Sequence, residues 1–397
     1  MIRRLRAGGV AALLALCLGG SSAIAAPPPY EINVILSLTG TGAFLGNEEG
    51  QSVRAIERIV NAHGGIDGQP IAFTIKDDGS NPSVAVQLAN AIIATHAPVI
   101  LGPSIVSTCS AVMPMVKTDG PLQYCYAPGI HPAAGTYTFS SMVGTKDLAL
   151  AGIRYLRGSG LKKLAIIVST DATGQEGEDT VNQDLALSEN QEMKVVAREH
   201  FNVTDLSVSA QMQRIKASGA QAIIAWTVGT PFGTVLRGMT DAALDIPALT
   251  NSGNIVRAQM TQYASFAPHT LLYTGVRSLA HDIARSGPVK TSQDAFFAAM
   301  RAQNIAPDIG QNIAWDSTML VIDALRHIGT HATAKQLLDY LEALHGYAGI
   351  NGIIDFRDGS QRGLTGNSAV IVQWSPSKSD WFPVSQPGGL PLHGTSR

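Results

Sequence analysis

The chain has 397 residues, of which 45% are hydrophobic, and it carries 28 basic and 30 acidic side chains. This length allows about two domains of roughly 150 residues each, with enough apolar residues for buried cores. If the first 25 residues are removed, 25 basic and 30 acidic residues remain. That balance disfavours nucleic acid and anionic membrane surfaces as partners.

The first residues have the three parts of a secretory signal peptide. Arginines at positions 3, 4 and 6 precede an apolar run over residues 10–18, and the small residues Ala23 and Ala25 follow. We therefore predict a signal peptide over residues 1–25 and an exported protein. The apolar run is shorter than the about 20 residues that a single-span anchor needs, and no later segment reaches that length.

The three cysteines leave two questions open. Lipid attachment at Cys17 is disfavoured because Leu16 stands where lipoprotein signals usually have a small residue. Cys109 and Cys125 would remain in the exported chain. An oxidising compartment permits a disulfide between them, but two free buried thiols fit the sequence equally well.

The first part of the chain alternates between strand and helix patterns. Val53, Ile56 and Val60 recur at helical spacing, whereas Ile71 and Phe73 alternate with polar residues as in a strand. The patterns predict strands over residues 31–36, 71–75, 99–101 and 123–126. They also predict three helices: one that ends at about residue 62, one that begins at residue 81, and one over 109–118. Such alternation predicts a parallel sheet covered by helices on both faces.

The same alternation then restarts. Helices are predicted over residues 148–157, 175–187, 207–218 and 234–242, and strands over 163–169, 194–199, 220–226 and 248–250. A second lobe of the same architecture follows from this repetition. The last part of the chain has helices at 292–303, 314–328 and 334–344 and strands at 349–356 and 369–374, which are too few for a third sheet.

We therefore predict an α/β fold of two doubly wound parallel-sheet lobes. The N-terminal lobe is assigned to residues 29–145 plus 275–347, and the C-terminal lobe to 146–274 plus 348–390. The last helices would complete the first lobe and the last strands the second. Connections near Thr145, Tyr273 and Gly349 would form a three-strand hinge, on which two lobes can close over a cleft.

Small residues follow several predicted strands, at the sheet edge where ligands bind in open α/β folds. Gly102–Thr108 follows one strand and Ala127–Gly129 the next. A helix N-terminus at this edge attracts anions, so the stretch predicts a cradle for a small anionic ligand. His131, just after the second turn, is either a ligand contact or a solvated loop residue.

The motifs of several enzyme classes are missing from the sequence. Glycines at positions 40, 42 and 46 have one residue too many for a dinucleotide motif, and a glycine-rich turn is the favoured interpretation. No phosphate-binding loop, nucleophile elbow or zinc-protease motif is present. The histidines lack the paired spacing of metal ligands. We accordingly expect no catalytic residue, cofactor or metal site.

The chain resembles the substrate-binding proteins of branched-chain amino acid ABC transporters, which have a type I periplasmic-binding fold. The likeness rests on ILSLTGTGAFLGNEEGQSVRAIERIVNAHGGIDGQPIAFTIKDDGSNPSVAVQLAN, on ILGPSIVSTCSAVMPM and on AIIVSTDATGQEGED. It covers nearly all of the exported chain. It implies a periplasmic protein whose two lobes close on a small solute held by the turns at the strand ends.

The resemblance also implies which residues contact the solute. In the first lobe they lie in three turns, with Ser104, Val106 and Ser107 gripping a ligand carboxylate. The full implied set is Phe44, Leu45, Ser104, Val106, Ser107, Ala127, Pro128, Gly129, Thr173, Gly229, Thr230 and Ser252.

One departure from the family pattern bears on the ligand. Ser252 falls where amino-acid binders place an acidic residue, and a buried ammonium group needs such an acceptor. Asp171 and Glu176 are the nearest other acids in the second lobe. A carboxylate without an amine, with an aromatic acid as one candidate, therefore fits better than an amino acid. Trp226 and Phe232 are either core residues or an apolar wall for such a ligand.

These observations predict a monomeric solute-binding protein that delivers its ligand to the permease subunits of an ABC importer. A ligand sensor of the same fold, signalling to a regulatory partner, and a binder of branched-chain amino acids are the alternatives. An exported enzyme on this scaffold is the hypothesis from another class, and the sequence offers it no nucleophile and base.

Overall fold

The computed structural model describes residues 28–392, which form two α/β units, here called the first and the second lobe. The predicted signal peptide lies outside the described residues. The sheet of the first lobe has five parallel strands in the order β2-β1-β3-β4-β5. These strands are β1 (Tyr30–Leu36), β2 (Ile71–Asp77), β3 (Val99–Leu101), β4 (Leu122–Cys125) and β5 (Thr138–Ser140).

The second sheet has seven strands in the order β14-β13-β10-β9-β8-β6-β7. Strands β6 to β10 are parallel, whereas β13 and β14 add an antiparallel edge. The strands are β6 (Lys163–Ser169), β7 (Lys194–Phe201), β8 (Ala222–Trp226), β9 (Ala248–Thr250), β10 (Leu271–Val276), β13 (Ala369–Ser375) and β14 (Asp380–Pro383). The predicted fold class is confirmed, with a mixed rather than purely parallel second sheet.

The helices that cover the two sheets are α1 (Ala43–Ala62), α2 (Pro82–Ile93), α3 (Val106–Val112), α4 (Thr145–Gly158), α5 (Ala172–Leu185), α6 (Ser209–Ala217), α7 (Thr230–Asp241), α8 (Arg257–Tyr263), α9 (Pro288–Arg301), α10 (Ile309–Ile328) and α11 (Ala334–Ala343). Local sequence sets several starts. The Asn81 side chain accepts hydrogen bonds from the first turn of α2, and Pro82 follows it. Asp308 and Gln311 form a capping box on α10.

The last part of the chain contributes to both lobes. Helix α10 packs along α1 of the first lobe, and α11 contacts β4. Strand β13 pairs with β10 of the second sheet. The exact lobe boundaries and the hinge action of the connections remain predictions.

Each sheet has one point where the strand order reverses. In the first sheet the reversal lies between β1 and β3, and in the second between β6 and β8. Helices lie on both faces of such sheets, so the turns that leave the two strands at a reversal diverge and open a crevice. These two crevices place the candidate site.

Several sequence-based element assignments were wrong. The helix predicted over 109–118 is α3 followed by a 3₁₀ turn at Met113–Val116, because Pro114 lacks the N–H that an α-helix needs there. The strand predicted over 349–356 is only β12 (Ile353–Ile354), which pairs with β11 (Tyr347–Ala348) outside the second sheet. The patterns did not predict β5, β10, α8 or β14. Strand β5 is too short to show a period.

The structure joins Cys109 and Cys125 in a disulfide, with their Cα atoms 6.0 Å apart. Of the two possibilities left open by the sequence, the bonded one is present. The bond ties the first turn of α3 to the end of β4. It therefore holds together the two turns that the sequence predicted as a cradle.

No helix within residues 28–392 combines the length and the apolar character that crossing a membrane requires.

Candidate functional site

An enclosed cavity lies between the two lobes, where the two sheet crevices face each other. It is small, with about 30 Å³ of space open to the centres of water-sized molecules. Turns after β1, β3, β4, β6, β8 and β9 supply most of its wall. The lining residues are Leu45, Ser104, Ile105, Val106, Ala127, Pro128, Gly129, Thr145, Leu148, Thr173, Glu176, Trp226, Val228, Asn251, Ser252, Gly253 and Ile313.

The structure brings most of the sequence-predicted site residues to this cavity. Those that line it are Leu45, Ser104, Val106, Ala127, Pro128, Gly129, Thr173 and Ser252. The other four lie elsewhere. Phe44 and Thr230 line a neighbouring open groove, Ser107 lies half-buried in the first turn of α3, and Gly229 packs against the first lobe.

Two helices of the second lobe begin at the cavity. Thr145 is the first residue of α4, and Thr173 lies in the first turn of α5. The unpaired N–H groups of helix N-termini carry partial positive charge. No Lys, Arg or His of the described chain lines the cavity. The partial positive charge near the cavity therefore comes from backbone groups, which lie close to two acidic side chains, Glu176 in the wall and Asp171 at the start of α5.

Trp226, at the end of β8, forms an apolar side of the cavity. Its ring lies so close to Gly177 on α5 that a Cβ there would be 2.1 Å from it. Phe232 is fully buried and packs edge-on against Tyr273. Of the two aromatic residues considered from the sequence, Trp226 therefore lines the cavity and Phe232 belongs to the core.

The turn after β9 presents a hydroxyl without a partner. Ser252 is buried, and its Oγ atom makes no hydrogen bond in the described structure. Neighbouring Asn251 is engaged locally, because its Nδ2 donates to the Thr227 carbonyl and its Oδ1 accepts from the Gly253 amide. A buried hydroxyl is seldom left unpaired, so Ser252 is suited to bond a ligand in the cavity.

The hydroxyl of Ser104 is already part of a buried network. Its Oγ accepts a hydrogen bond from the Ser37 amide at 3.0 Å and lies 2.5 Å from Oε2 of Glu49. Glu49 is fully buried on α1. Sequence reasoning missed this glutamate, since it stands among other polar residues of a helix and no motif marks it.

Glu176 is the one acidic side chain of the described residues that lines the cavity. Its Oε1 lies 2.6 Å from Nε2 of His131, so the pair bridges the second and the first lobe. His131 itself is largely exposed and does not line the cavity. Glu176 was noted from the sequence only as an acid close to the site. Its position near the start of α5 was the available signal.

The lobes also touch beside the cavity. Gly229, with φ +77°, lies so close to the first lobe that a Cβ on it would be 1.7 Å from the Thr41 carbonyl oxygen. The Thr230 amide donates to the same oxygen at 3.4 Å. This contact joins the two lobes next to the cavity.

Other lining residues carried no distinct sequence signal. Ile105, Leu148, Val228 and Ile313 are apolar residues that resemble ordinary core positions. Ile313 comes from α10, which is distant in sequence from every turn that forms the cavity. Within residues 28–392, no group of three or more potential metal-binding side chains is arranged to hold an ion.

A model of the periplasmic binding protein family matches residues 29–380. The Leu/Ile/Val-binding protein homolog 1 of Brucella abortus is 24% identical over 302 residues, which cover 75% of this chain and 79% of that protein.

Solved structures share the fold over nearly the whole chain. A solute-binding protein of an ABC transporter from Rhodopseudomonas palustris, in complex with benzoate, has a TM-score of 0.74 at 17% identity, covering 93% of this chain and 98% of that one. A branched-chain amino acid transporter substrate-binding protein from Streptococcus pneumoniae, in complex with isoleucine, has a TM-score of 0.72 at 17% identity, covering 90% and 99%.

Proposed function

Because this chain belongs to the periplasmic binding protein family, of the branched-chain amino acid type, we propose that it is the solute-binding component of an ABC importer. Its ligand would be a small carboxylate without an α-amine, and an aromatic acid is the leading candidate. The ligand is carried without covalent change to the permease subunits.

The single observation that carries this proposal is the composition of the cavity wall. An anion would find two kinds of hydrogen-bond donor in this wall. They are the backbone N–H groups at two helix N-termini and the hydroxyls of Ser104, Thr145, Thr173 and Ser252. Trp226 offers a flat apolar surface to the rest of the ligand. A ligand that touches both lobes only when they are in contact favours that closed state, which the permease would then recognise.

The placement of the acidic residues near the cavity disfavours a ligand that carries an amine. The turn from Thr250 to Asn254 has none, and Glu176 is already paired with His131. An ammonium group enclosed there would need a charged acceptor to offset its lost hydration. The benzoate complex of the R. palustris protein shows that this fold can hold an aromatic acid.

A branched-chain amino acid is the second candidate, and one observation favours it. Glu176 lines the cavity, so its carboxylate could receive an ammonium group if the bond to His131 opened. The relatives from B. abortus and S. pneumoniae are named for such ligands.

The variants E176Q and H131A distinguish the two candidates. Both remove the contact between Glu176 and His131 that bridges the lobes, but only E176Q removes the carboxylate. For benzoate, we expect E176Q to bind at least as tightly as H131A in calorimetric titration, because H131A leaves the Glu176 carboxylate in the cavity wall without its partner. If L-leucine is the true ligand, E176Q should bind it at least about tenfold more weakly than H131A does. The reason is that a hydrogen bond to a charged group is worth about 1.5–3 kcal/mol. That second pattern would overturn the no-amine proposal.

A further inference from the structure

Two buried carboxyl groups lie behind the turn that follows β3. Glu49 on α1 and Asp78 after β2 are both fully buried. Within residues 28–392, neither forms an ion pair with a basic side chain. Burying two carboxylates without a cation is strongly unfavourable, and this favours a proton on at least one of them.

A chain of hydrogen bonds connects both groups to the cavity. The Ser37 hydroxyl donates to Oδ1 of Asp78 at 2.8 Å, and the Ser37 amide donates to Oγ of Ser104 at 3.0 Å. Ser104 in turn lies 2.5 Å from Oε2 of Glu49 and lines the cavity. Oε1 of Glu49 has no partner in the described structure. A proton on Glu49 is therefore hydrogen-bonded only if it sits on Oε2, facing Ser104.

The charge of Glu49 decides what Ser104 offers to a ligand. A serine hydroxyl donates one hydrogen bond and accepts two. If Glu49 is ionised, the Ser104 hydrogen points to Oε2 and only a lone pair is left for the cavity. If Glu49 is protonated, it donates to Oγ, which already accepts from the Ser37 amide. The Ser104 hydrogen is then free for a ligand oxygen.

We infer that Glu49 is held as a neutral carboxylic acid and that its proton makes Ser104 a hydrogen-bond donor to the ligand carboxylate. Glu49 is a positioning residue, because it acts on the ligand only through Ser104. The inference rests on the proposed carboxylate ligand. It deepens that proposal by naming the group that makes this end of the cavity selective for an anion.

The surroundings of Glu49 support a neutral state. Burial raises its pKa well above the usual range, the hydrogen bond from Ser104 lowers it, and the negative charge of Asp78 raises it further. Burial also raises the pKa of Asp78. Tyr126, after β4, lies close enough that a negative charge on Glu49 raises the pKa of its hydroxyl, which bonds Thr318 of α10. Within the described chain, none of the strands β1 and β2 and the helices α9 and α10 that pack on α1 brings an ion-pair partner to Glu49.

The inference predicts how binding changes with pH. The form that binds a carboxylate has Glu49 protonated. Affinity is therefore highest at low pH and falls as pH rises through the pKa of Glu49, by at most about tenfold for each pH unit. The opposite trend, tighter binding at higher pH, would contradict the inference.

Benzoate is the probe, since it stays ionised over the range tested. Calorimetric titrations between about pH 6 and about pH 9 compare the wild type with E49Q, S104A and D184N. E49Q keeps a donor facing Ser104 and should bind with an affinity that does not change with pH. S104A should bind weakly at every pH. D184N is the matched control, because Asp184 is another buried acid of raised pKa, about 7 through burial, and it lies outside the cavity wall. It should keep the wild-type profile.

A wild-type affinity that rises with pH, or an E49Q affinity that falls with pH in parallel with that of the wild type, would overturn the inference. An infrared difference spectrum of wild type against E49Q tests the protonation without any ligand. We expect the C=O stretch of a protonated carboxyl at neutral pH in the wild type alone, and its absence would also overturn the inference. Failure of every carboxylate to bind, with that band present, would instead contradict the proposed ligand class.

Discussion

Gly229 lies where the second lobe touches the turn after β1. Its φ of +77° is in the left-handed region, and a Cβ would lie 1.7 Å from the Thr41 carbonyl oxygen. Both the backbone conformation and the contact with the first lobe therefore require glycine. The residue permits the close approach of the two lobes beside the cavity, although it contributes nothing to the cavity wall itself.

We predict that G229A weakens ligand binding by about tenfold or more, because the added methyl group keeps the lobes apart. G219A is the matched control. Gly219 has φ +69°, and a Cβ added to it would have no atom within 4 Å, so it carries the same backbone cost without the contact. Titration of both variants with benzoate measures the effect. Equal affinities for G229A and G219A would show that the contact at Thr41 does not matter for closure.

At the residue scale, the sequence predicted the turns better than the side-chain directions. Leu45 and Phe44 were assigned together, but only Leu45 lines the cavity. Successive residues of a helix point about 100° apart, so neighbours in the first turn of α1 cannot face the same space. Ser104 was predicted as a direct carboxylate contact, and its bond to Glu49 was not visible because the two residues are far apart in the chain.

At the scale of elements, the disulfide joins the start of α3 to the end of β4. The sequence separation of 16 residues closes a short loop between the two predicted ligand turns of the first lobe. Cross-linking such a loop restricts the unfolded chain and stabilises the protein by about 3 kcal/mol.

We predict that the C109A/C125A double variant loses about 2–3 kcal/mol of unfolding free energy in urea titrations. It should also bind benzoate more weakly, because the two turns are no longer tied to each other. The single variants C109A and C125A should each lose a similar amount, since either one removes the bond. An unfolding midpoint unchanged by all three would mean that the disulfide stabilises nothing in the native protein.

Element prediction succeeded where periodicity was strong. The buried strands β1 and β6 and the long amphipathic helices were recognised, and their alternation predicted the two-lobed α/β fold. Strand β5 and helix α8 were missed because three residues and seven residues show no clear period. The end of α3 was misplaced, although Pro114 was a signal for it in the sequence.

At the scale of the whole molecule, the two strand-order reversals explain why one cavity can use turns from both lobes. The turns after β1 and β3 open the crevice of the first lobe, and those after β6 and β8 open that of the second. The cavity lies where the crevices face each other, and α10 closes it with Ile313. Sequence patterns predicted the turns at the strand ends and a cleft between the lobes, but the contribution of α10 depends on how the chain returns to the first lobe.

The proposed ligand is a small carboxylate that lacks an α-amine and is enclosed between the lobes. Calorimetric titration tests this proposal most directly. The purified protein is titrated side by side with benzoate, an aliphatic carboxylate and L-leucine. We expect at least one carboxylate to bind and to stabilise the protein by about 2.7 kcal/mol at a hundred times its dissociation constant. L-Leucine should give no saturable heat. Tight binding of L-leucine with no response to either carboxylate would contradict the proposed ligand class.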